Sequence, residues 1–350
     1  MFRIYKITFI FFVDSESKEE KSIRNKILNK MAGNILVKND QWYQYEKPIW
    51  VAKSPDFIAE AVRSNFREIT NIAWMKTPFF SRLFNDLKTN CIKSVNLDIS
   101  KYIGFKNGVL NWQTMEFETE EPEANDLFKL YYFRDFLPYD FQTLDISEIH
   151  KQEDLEILVQ QNMPAIYNWF SETLENFEFS AIILCFAAAI IKQYKLDRFL
   201  YFFGPSNTGK STAIRFFDKL FISDAVITKQ LSDLSSSFGL AEIVETNVRL
   251  LVVRDAEGSI SGKTVAVLKN LVSNCEPISV SRKFLTSVNF VFSGGIIIAS
   301  NFSNIFQKTA KGILEERIIP IEFSNVISPE NQKELDIFFP ESEKSCPFGC

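Results

Sequence analysis

Residues 198–212, with the sequence RFLYFFGPSNTGKST, contain the clearest fold signal in the chain. Its first six residues form an apolar run with the length of one buried strand. The next eight fit the pattern G-x-x-x-x-G-K-[ST] at every defined position, and the residues after them are compatible with a helix. A strand, a loop bounded by glycines and a helix in this order predict a loop that wraps the phosphates of a bound nucleotide.

Each residue type in this loop has a chemical role. The two glycines allow the backbone to surround the phosphates with inward-pointing N–H groups, and the helix adds its positive N-terminal end. The lysine can reach the β- and γ-phosphates, and the serine hydroxyl can bind Mg²⁺. A plain strand-to-helix turn would leave the Lys-Ser pair unexplained. The candidate nucleotide-binding residues are Gly204, Pro205, Ser206, Asn207, Thr208, Gly209, Lys210, Ser211 and Thr212.

Further short apolar runs follow at 249–253, 295–300 and 318–323, separated by stretches compatible with helices. Buried runs in alternation with helices predict an α/β domain with a largely parallel sheet, and we assign it to residues 196–325.

The preceding residues, 35–195, have a different pattern. Short aromatic strands such as 41–45, an amphipathic helix at 54–66, a turn at Gly108 and a helical stretch over 152–195 predict a smaller, mixed α+β and partly helical region. Residues 1–34 are predicted to be an N-terminal extension, in which 14–30 is a linker or an exposed helix. Residues 326–350 are predicted to be an acidic tail.

Acidic and polar residues follow the later strands. Asp255 and Glu257 come directly after the run LLVV, where a nucleotide site needs one carboxylate for Mg²⁺ and one to polarise water. We assign Asp255 to the metal and Glu257 to the base, although the two roles could be exchanged. Asn301 ends the next strand and either touches the γ-phosphate or is a turn residue. Arg317 precedes the last strand and either stabilises transition-state charge from a neighbouring subunit or pairs with an adjacent glutamate.

Composition narrows the function classes. The 350 residues are 46% hydrophobic and 24% charged, as in a soluble globular protein of about two domains. Five cysteines do not form a disulfide scaffold and suggest reduced thiols in an intracellular protein. The single histidine, His150, argues against a histidine-based metal site or a Ser-His-Asp hydrolase.

Neither apolar stretch of the chain predicts a membrane protein. Residues 1–13 are apolar but too short to span a bilayer, and no small-residue cleavage site follows them. They are either a strand or a start upstream of the folded part. The run 182–191 suits a buried core helix, so we expect neither secretion nor a membrane span.

The 35 phenylalanines allow two interpretations, core packing or stacking platforms for single-stranded bases, and core packing is favoured. The net charge of −5 gives no global basic field. Residues 204–323 are nevertheless balanced, with 13 Lys and Arg against 11 Asp and Glu. Because affinity for DNA follows the cations along its path, the acidic total does not exclude DNA binding.

The order and spacing of five segments resemble superfamily 3 helicases, an AAA+-like group of viral and plasmid replication proteins. The segments are GPSNTGKST, LLVVRDAEG, LKNLVSNCEPISVSRKF, GIIIASN and GILEERIIPIEF. The phage- and plasmid-type primase-helicase branch is the most similar. Upstream, the segments at 41–45, 105–110 and 139–141 resemble the region before such helicase domains, so the likeness covers about residues 35–325.

This resemblance implies an ATP-hydrolysing DNA helicase or translocase, with ATP and Mg²⁺ bound between the subunits of a homo-hexameric ring. It implies that Lys269, Arg282 and Lys283 belong to a hairpin region that grips single-stranded DNA in a central pore. The alternative for Arg282 and Lys283 is a solvated cluster of charges in a surface loop. Arg317 stands where the family has its arginine finger. Single-stranded or forked DNA, and a primase or initiator protein, are the implied partners in replication of a plasmid, phage or virus.

The chain departs from the family pattern in two places. The common T-G-G-D is replaced by residues 272–276, VSNCE, and the common Arg-Arg pair by Glu316-Arg317. A winged helix is also not evident after residue 323. Two alternatives therefore stay open: an ATPase that remodels a replication origin without unwinding it, and a non-catalytic relic of a mobile element. Cys346 and Cys350 offer two possible metal ligands, where a structural zinc needs four.

Overall fold

The computed structural model describes residues 17–31, 33–38, 41–65, 77–91, 101–119, 127–143, 150–222, 225–246, 248–258, 260–273, 276–282, 285–306, 312, 314–328 and 330. The chain divides into two compact units, Met1–Leu97 and Asp98–Cys350. The boundaries predicted after residues 34 and 195 stay predictions, since one compact unit can hold more than one domain. The apolar run 1–13, Lys283 and the two C-terminal cysteines lie outside the described residues. None of the helices within those residues is both long and apolar enough to cross a lipid bilayer.

The described part of the first unit is an antiparallel sheet with helices. Its elements are α1 (Lys18–Met31), β1 (Ile35–Lys38), β2 (Gln41–Glu46), β3 (Ile49–Lys53), α2 (Pro55–Asn65) and α3 (Thr77–Cys91), and the strands pair in the order β1-β2-β3. Ile27, Trp42, Ile58 and Leu83 belong to one buried core, which joins helices and sheet. The strand predicted at 41–45 and the helix predicted at 54–66 are confirmed. For residues 14–30, the structure places a helix over most of the segment.

The second unit begins with a small antiparallel sheet and a group of helices. Its first elements are β4 (Tyr102–Phe105), β5 (Gly108–Asn111), β6 (Glu116–Thr119), α4 (Leu127–Leu130), α5 (Gln152–Asn162), α6 (Pro164–Thr173) and α7 (Phe177–Ile191). The turn predicted at Gly108 is confirmed. Gly108 is the first residue of β5 and has a φ of 155°. The helical stretch predicted over 152–195 is also confirmed, as three helices. Pro164 begins α6, and the Asn176 side chain caps α7 by accepting from the N–H of Phe179.

A five-stranded parallel sheet forms the centre of the second unit. It contains β7 (Phe199–Phe203), β8 (Val226–Lys229), β9 (Leu250–Val253), β12 (Gly295–Ser300) and β13 (Ile318–Glu322), in the order β13-β7-β12-β9-β8. The described connections include α8 (Lys210–Leu220), α9 (Leu231–Leu234), α10 (Ala241–Glu245) and α11 (Gly262–Leu271). A two-stranded antiparallel ribbon, β10 (Ile278–Arg282) and β11 (Leu285–Phe290), precedes β12. The predicted α/β class and parallel sheet are confirmed.

Both faces of this sheet are buried, which explains why its strands are continuous apolar runs. Along β7, Leu200 and Phe202 pack on one face with α7 and α8, while Phe199 and Tyr201 pack on the other face with α11. Seven of the largest fully buried side chains are phenylalanines: Phe79, Phe133, Phe170, Phe199, Phe202, Phe217 and Phe323. For these rings, core packing is the role that the structure shows.

A buried ion pair joins the segment after α4 to the amino end of β9. The Arg249 guanidinium donates to both carboxylate oxygens of Asp135, with Nη2 at 2.6 Å from Oδ1. The two side chains are 12% and 7% exposed. Gln193, with its amide oxygen facing the guanidinium, accepts from Nη2 and Nη1 at 2.7 and 2.8 Å. Such a bidentate pair fixes orientation as well as distance.

Candidate nucleotide-binding site

The 204–209 loop connects buried strand β7 to helix α8 and needs its two glycines for steric reasons. Gly204 has a φ of 139°, and a Cβ there would lie 2.0 Å from the backbone oxygen of Phe323. Gly209 has a φ of 95°, and a Cβ there would lie 3.1 Å from Cγ2 of Thr173 in α6. The loop is therefore enclosed by the end of β13 on one side and by α6 on the other.

Two contacts hold the segment after β13 against the loop and against α6. The backbone N–H of Ile327 donates to the carbonyl of Asn207 at 2.9 Å, and Asn325 donates to the carbonyl of Glu172 at 3.3 Å. Asn207 itself has a positive φ of 62°. The packed chain thus continues past residue 325, the predicted end of the α/β domain, into the predicted tail.

Lys210 begins α8 and turns its side chain back into the loop. Its Nζ donates to the carbonyl oxygens of Gly204 and Pro205 at 2.7 and 2.5 Å, and lies 3.4 Å from Oγ1 of Thr208. Burial lowers the pKa of Lys210, while the nearby Asp255 carboxylate acts in the opposite direction. The ammonium group is thus held by neutral carbonyl oxygens of the loop. Phosphate oxygens are charged and are therefore stronger acceptors for it.

The other loop residues surround this lysine. Thr208 is buried and donates to the carbonyl of Pro205 at 2.9 Å, whereas Pro205, Ser206 and Asn207 are exposed. Ser211 is exposed and Thr212 half-buried in the first turn of α8. The first N–H groups of this 11-residue helix have no partner within the helix, so this end is suited to an anion.

The acidic turn, residues 255–257, follows β9 and is tied to the neighbouring strand β12. Asp255 has a φ of 50°, and both its side chain and that of Glu257 are exposed. Between them, Ala256 donates its N–H to the carbonyl of Ala299 at 2.8 Å and accepts from the Ser300 hydroxyl at 2.6 Å. Strand β12 therefore fixes where both carboxylates stand.

Asn301 is exposed and follows β12, the strand that lies between β7 and β9. In the register, Ser300 is level with Phe203, the residue before the loop. Because the three strands are parallel, their carboxyl ends meet at one edge of the sheet. The structure thus brings Lys210, Asp255 and Asn301 to this edge.

Sequence reasoning missed the buried contacts behind these residues. The Ser300 hydroxyl, besides donating to Ala256, accepts from the N–H of Phe302 at 3.0 Å. Tyr201 in β7 donates to the carbonyl of Phe302, and burial raises the pKa of that tyrosine to about 12. A serine at the end of the run IIIAS was the only available signal, and it did not indicate a partner.

A second missed contact joins the acidic turn to the helix after the loop. Nη2 of Arg254 donates to Oδ2 of Asp218 in α8 at 2.8 Å, and both side chains are about one-third exposed (35% and 32%). Arg254, Asp255 and Glu257 also line an open polar cleft of about 870 Å³ at the carboxyl ends of β8 and β9.

Arg317 is not brought to this edge within the chain. It ends a short 3-10 turn, Glu315–Arg317, directly before β13. Ile318 is level with Phe199, at the amino end of β7, and the loop begins after Phe203. Five residues of strand separate the two levels, which corresponds to roughly 16 Å along the sheet.

The predicted DNA-contacting residues lie on two elements. Lys269 is exposed on α11, and Arg282 is half-buried at the end of β10, opposite Leu285 of β11. Lys283 falls between the two strands, outside the described residues. The structure confirms a hairpin here and leaves contact with DNA a prediction.

The oxygen atoms at this edge of the sheet are of the type that Mg²⁺ prefers as ligands. Ser211 and Asp255 supply a hydroxyl and a carboxylate, the hard oxygen ligands that Mg²⁺ takes together with waters and substrate phosphates. Among the residues described, His, Cys, Asp and Glu form no group of three that could hold a metal by themselves. Any Mg²⁺ bound here would thus depend on the nucleotide for most of its ligands.

Comparisons with known proteins give a family match over part of the chain. Residues 202–315 match the model described as "Family of unknown function (DUF5906)", from the end of β7 to the turn before β13. No curated protein matches.

Among solved structures, "The apo structure of NrS-1 C terminal region (305-718)" is similar at 16% identity and a TM-score of 0.48. The match covers 93% of this chain and 66% of that one. "The A form apo structure of NrS-1 C terminal region-CTR" gives 15% identity, a TM-score of 0.46 and the same coverage. The chain spans less than two thirds of these structures, and a likeness at this level says nothing about activity.

Proposed function

We propose that this protein is an ATP-dependent DNA motor of the superfamily 3 helicase type, in which residues 196–325 form a P-loop domain of the AAA+-like class. The observation that carries the proposal is the meeting of Lys210, Asp255 and Asn301 at the carboxyl ends of three adjacent parallel strands. Strand order makes this edge a binding crevice. The connection after β7 packs α8 on one face of the sheet, whereas Ile305 and Leu314, between β12 and β13, pack on the other face, and a crevice forms where neighbouring connections take opposite faces.

In this proposal, nucleotide phosphates replace the loop carbonyls as acceptors of the Lys210 ammonium group. The N–H groups of the loop and of the first turn of α8 donate to the same phosphates. Ser211 and Asp255 would hold Mg²⁺, which neutralises phosphate charge when bound. Glu257 takes a proton from the attacking water, and Asn301 orients that water or the γ-phosphate.

The position of Arg317 supports assembly of several chains. Because it lies at the opposite edge of its own sheet, it can serve hydrolysis only at the site of a neighbouring chain. A finger supplied in this way stabilises the charge of the transition state. We therefore propose a ring, a homo-hexamer as the resemblance implies, in which hydrolysis moves the β10–β11 hairpin and single-stranded DNA with it.

Steady-state ATP hydrolysis with and without single-stranded DNA tests this proposal. We expect turnover that rises with DNA and is abolished by Lys210→Ala. The matched control is Lys219→Ala, an exposed lysine in the last turn of the same helix, which should keep wild-type turnover. Turnover equal to that of Lys210→Ala in the wild type would exclude a motor and favour a non-catalytic relic.

Strand displacement on a forked duplex separates unwinding from other uses of ATP. A helicase should release the displaced strand only with ATP, and Lys210→Ala should release none. Hydrolysis without strand displacement would favour an ATPase that remodels a replication origin.

A further inference from the structure

The two units of the chain carry opposite charge. Residues 1–97 contain 16 Lys and Arg against 10 Asp and Glu, a net charge of +6. Residues 98–350 contain 23 against 34, a net charge of −11. The acidic total of the protein therefore hides a basic first unit. Such asymmetry between the parts of a chain is typical of proteins with a polyanionic partner.

Within the first unit, internal ion pairs occupy most of the described acids. The described residues contain six: Glu19, Glu20, Glu46, Asp56, Glu60 and Asp86. Four of them pair with cations of the same unit: Arg24 with Asp86, Lys53 with Glu46, Arg63 with Glu60 and Arg82 with Glu20. The excess positive charge then resides on the remaining cations, most of which are lysines.

Helix α1 carries a large part of that excess on its outer face. Its inner face holds the buried Ile27 and Arg24, which point to the core and to α3. Lys18, Lys21 and Lys26 are exposed, as is Lys30 near the helix end. At about 100° per residue, Lys18, Lys21 and Lys26 fall on the half of the helix opposite Ile27, whereas Lys30 and Glu19 fall on one flank, within about 80° of Ile27.

The polar residues between these lysines indicate the chemistry of a partner. Ser22, Asn25 and Asn29 are exposed on the same face, and their side chains can donate to phosphate and sugar oxygens. The face has no exposed large apolar side chain, which a helix bound in a membrane surface would need. From Lys18 to Lys26 the row extends over about 12 Å, which corresponds to about three phosphate spacings along one strand.

We propose that the outer face of α1 binds the phosphate backbone of DNA without sequence preference and without need for ATP. The choice of DNA among polyanions rests on the proposed function, whereas the charge argument does not. This face belongs to the first unit, whereas the predicted DNA-contacting residues Lys269, Arg282 and Lys283 belong to the second. It would hold DNA while the hairpin region moves.

Fluorescence anisotropy of a labelled oligonucleotide, single-stranded and duplex in separate arms, tests this surface. The full-length Lys210→Ala protein is used without nucleotide, so that a failure of ATP hydrolysis cannot affect the result. The variant is Lys18→Gln/Lys21→Gln/Lys26→Gln in that background. Glutamine keeps helix propensity close to that of lysine, and circular dichroism checks the fold.

The salt dependence gives the expected magnitude. Three lost phosphate contacts should reduce the slope of log K against log salt by about 2 for single strands and about 3 for duplex. The ratio of parent to variant affinity for single strands should therefore be about 18 times larger at about 50 mM than at about 200 mM salt.

A matched control removes the same charge elsewhere. Lys195→Gln/Lys219→Gln/Lys263→Gln changes three exposed lysines of the second unit and should keep the parent affinity and slope. The proposal is overturned if the α1 variant binds like its parent in both arms, or if the control weakens binding as much. A loss confined to one arm supports the surface and identifies the form of DNA it holds.

Discussion

Removing one partner of the buried pair Asp135–Arg249 should destabilise the second unit strongly. Asp135→Ala leaves a guanidinium that is 12% exposed without its carboxylate, while the Gln193 amide oxygen still accepts from it. Loss of one partner of a buried pair costs about 3–5 kcal/mol. This is a large part of the roughly 5–15 kcal/mol that stabilises a typical domain. Arg249→Met should cost a similar amount, because the buried carboxylate then loses both hydrogen bonds from the guanidinium.

The double variant Asp135→Leu/Arg249→Met is the decisive comparison. Replacing both charges by apolar groups removes the unpaired charge, so the loss should fall to about 1–3 kcal/mol, the cost of leaving the Gln193 amide oxygen without a donor. Urea unfolding followed by circular dichroism measures all the variants and the wild type. Additive losses in the double variant, or losses below about 1 kcal/mol in either single variant, would refute the assignment of this pair as a coupled buried contact.

Three further predictions concern the candidate site. Ser300→Ala removes the hydroxyl that holds the acidic turn, so the free energy of unfolding, measured with urea, should fall by about 1–3 kcal/mol. The rate of ATP turnover should fall more than the affinity for ATP, which steady-state kinetics and titration measure separately. Equal losses of binding and turnover would contradict that role. Gly204→Ala should cost about 1–3 kcal/mol for its backbone conformation, with the overlap on Phe323 adding to this, and a wild-type unfolding midpoint would refute the geometry. Mixing inactive Lys210→Ala with Arg317→Ala should restore part of the turnover, because an intact loop then meets an intact arginine from its neighbour; no recovery in mixed oligomers would argue against a shared site.

The sequence predicted four of the five strands of the parallel sheet because their signals are local, whereas β8 was not predicted. The strands at 199–203, 250–253 and 295–300 are apolar runs of the length of one strand, and α8 follows a loop whose glycines are both sterically required. Local signals also explain why the helical stretch 152–195 could be predicted, whereas its division into three helices was not predicted. Pro164 and Asn176, which mark the breaks, act on single turns.

The polar contacts that connect the elements could not be predicted. Ser300 with Ala256, Arg254 with Asp218 and Arg249 with Asp135 join residues 44, 36 and 114 positions apart. Each depends on which element packs beside the strand end, and a buried strand of four to six apolar residues carries almost no information about its neighbours.

Strand order also determines what the site residues can do. With β12 between β7 and β9, Asn301 stands between the loop and the acidic turn, and Ser300 can hold that turn from the middle strand. Had β9 been adjacent to β7, Asp255 would lie beside the loop and Asn301 beyond it, with the sequence unchanged in every motif. The same order places β13 parallel to β7. Arg317 precedes β13 and therefore lies at the amino ends of the strands, whereas the 204–209 loop lies at their carboxyl ends. In the proposed function, the need for a second chain is therefore a consequence of strand direction, and the motif that contains Arg317 does not itself express it.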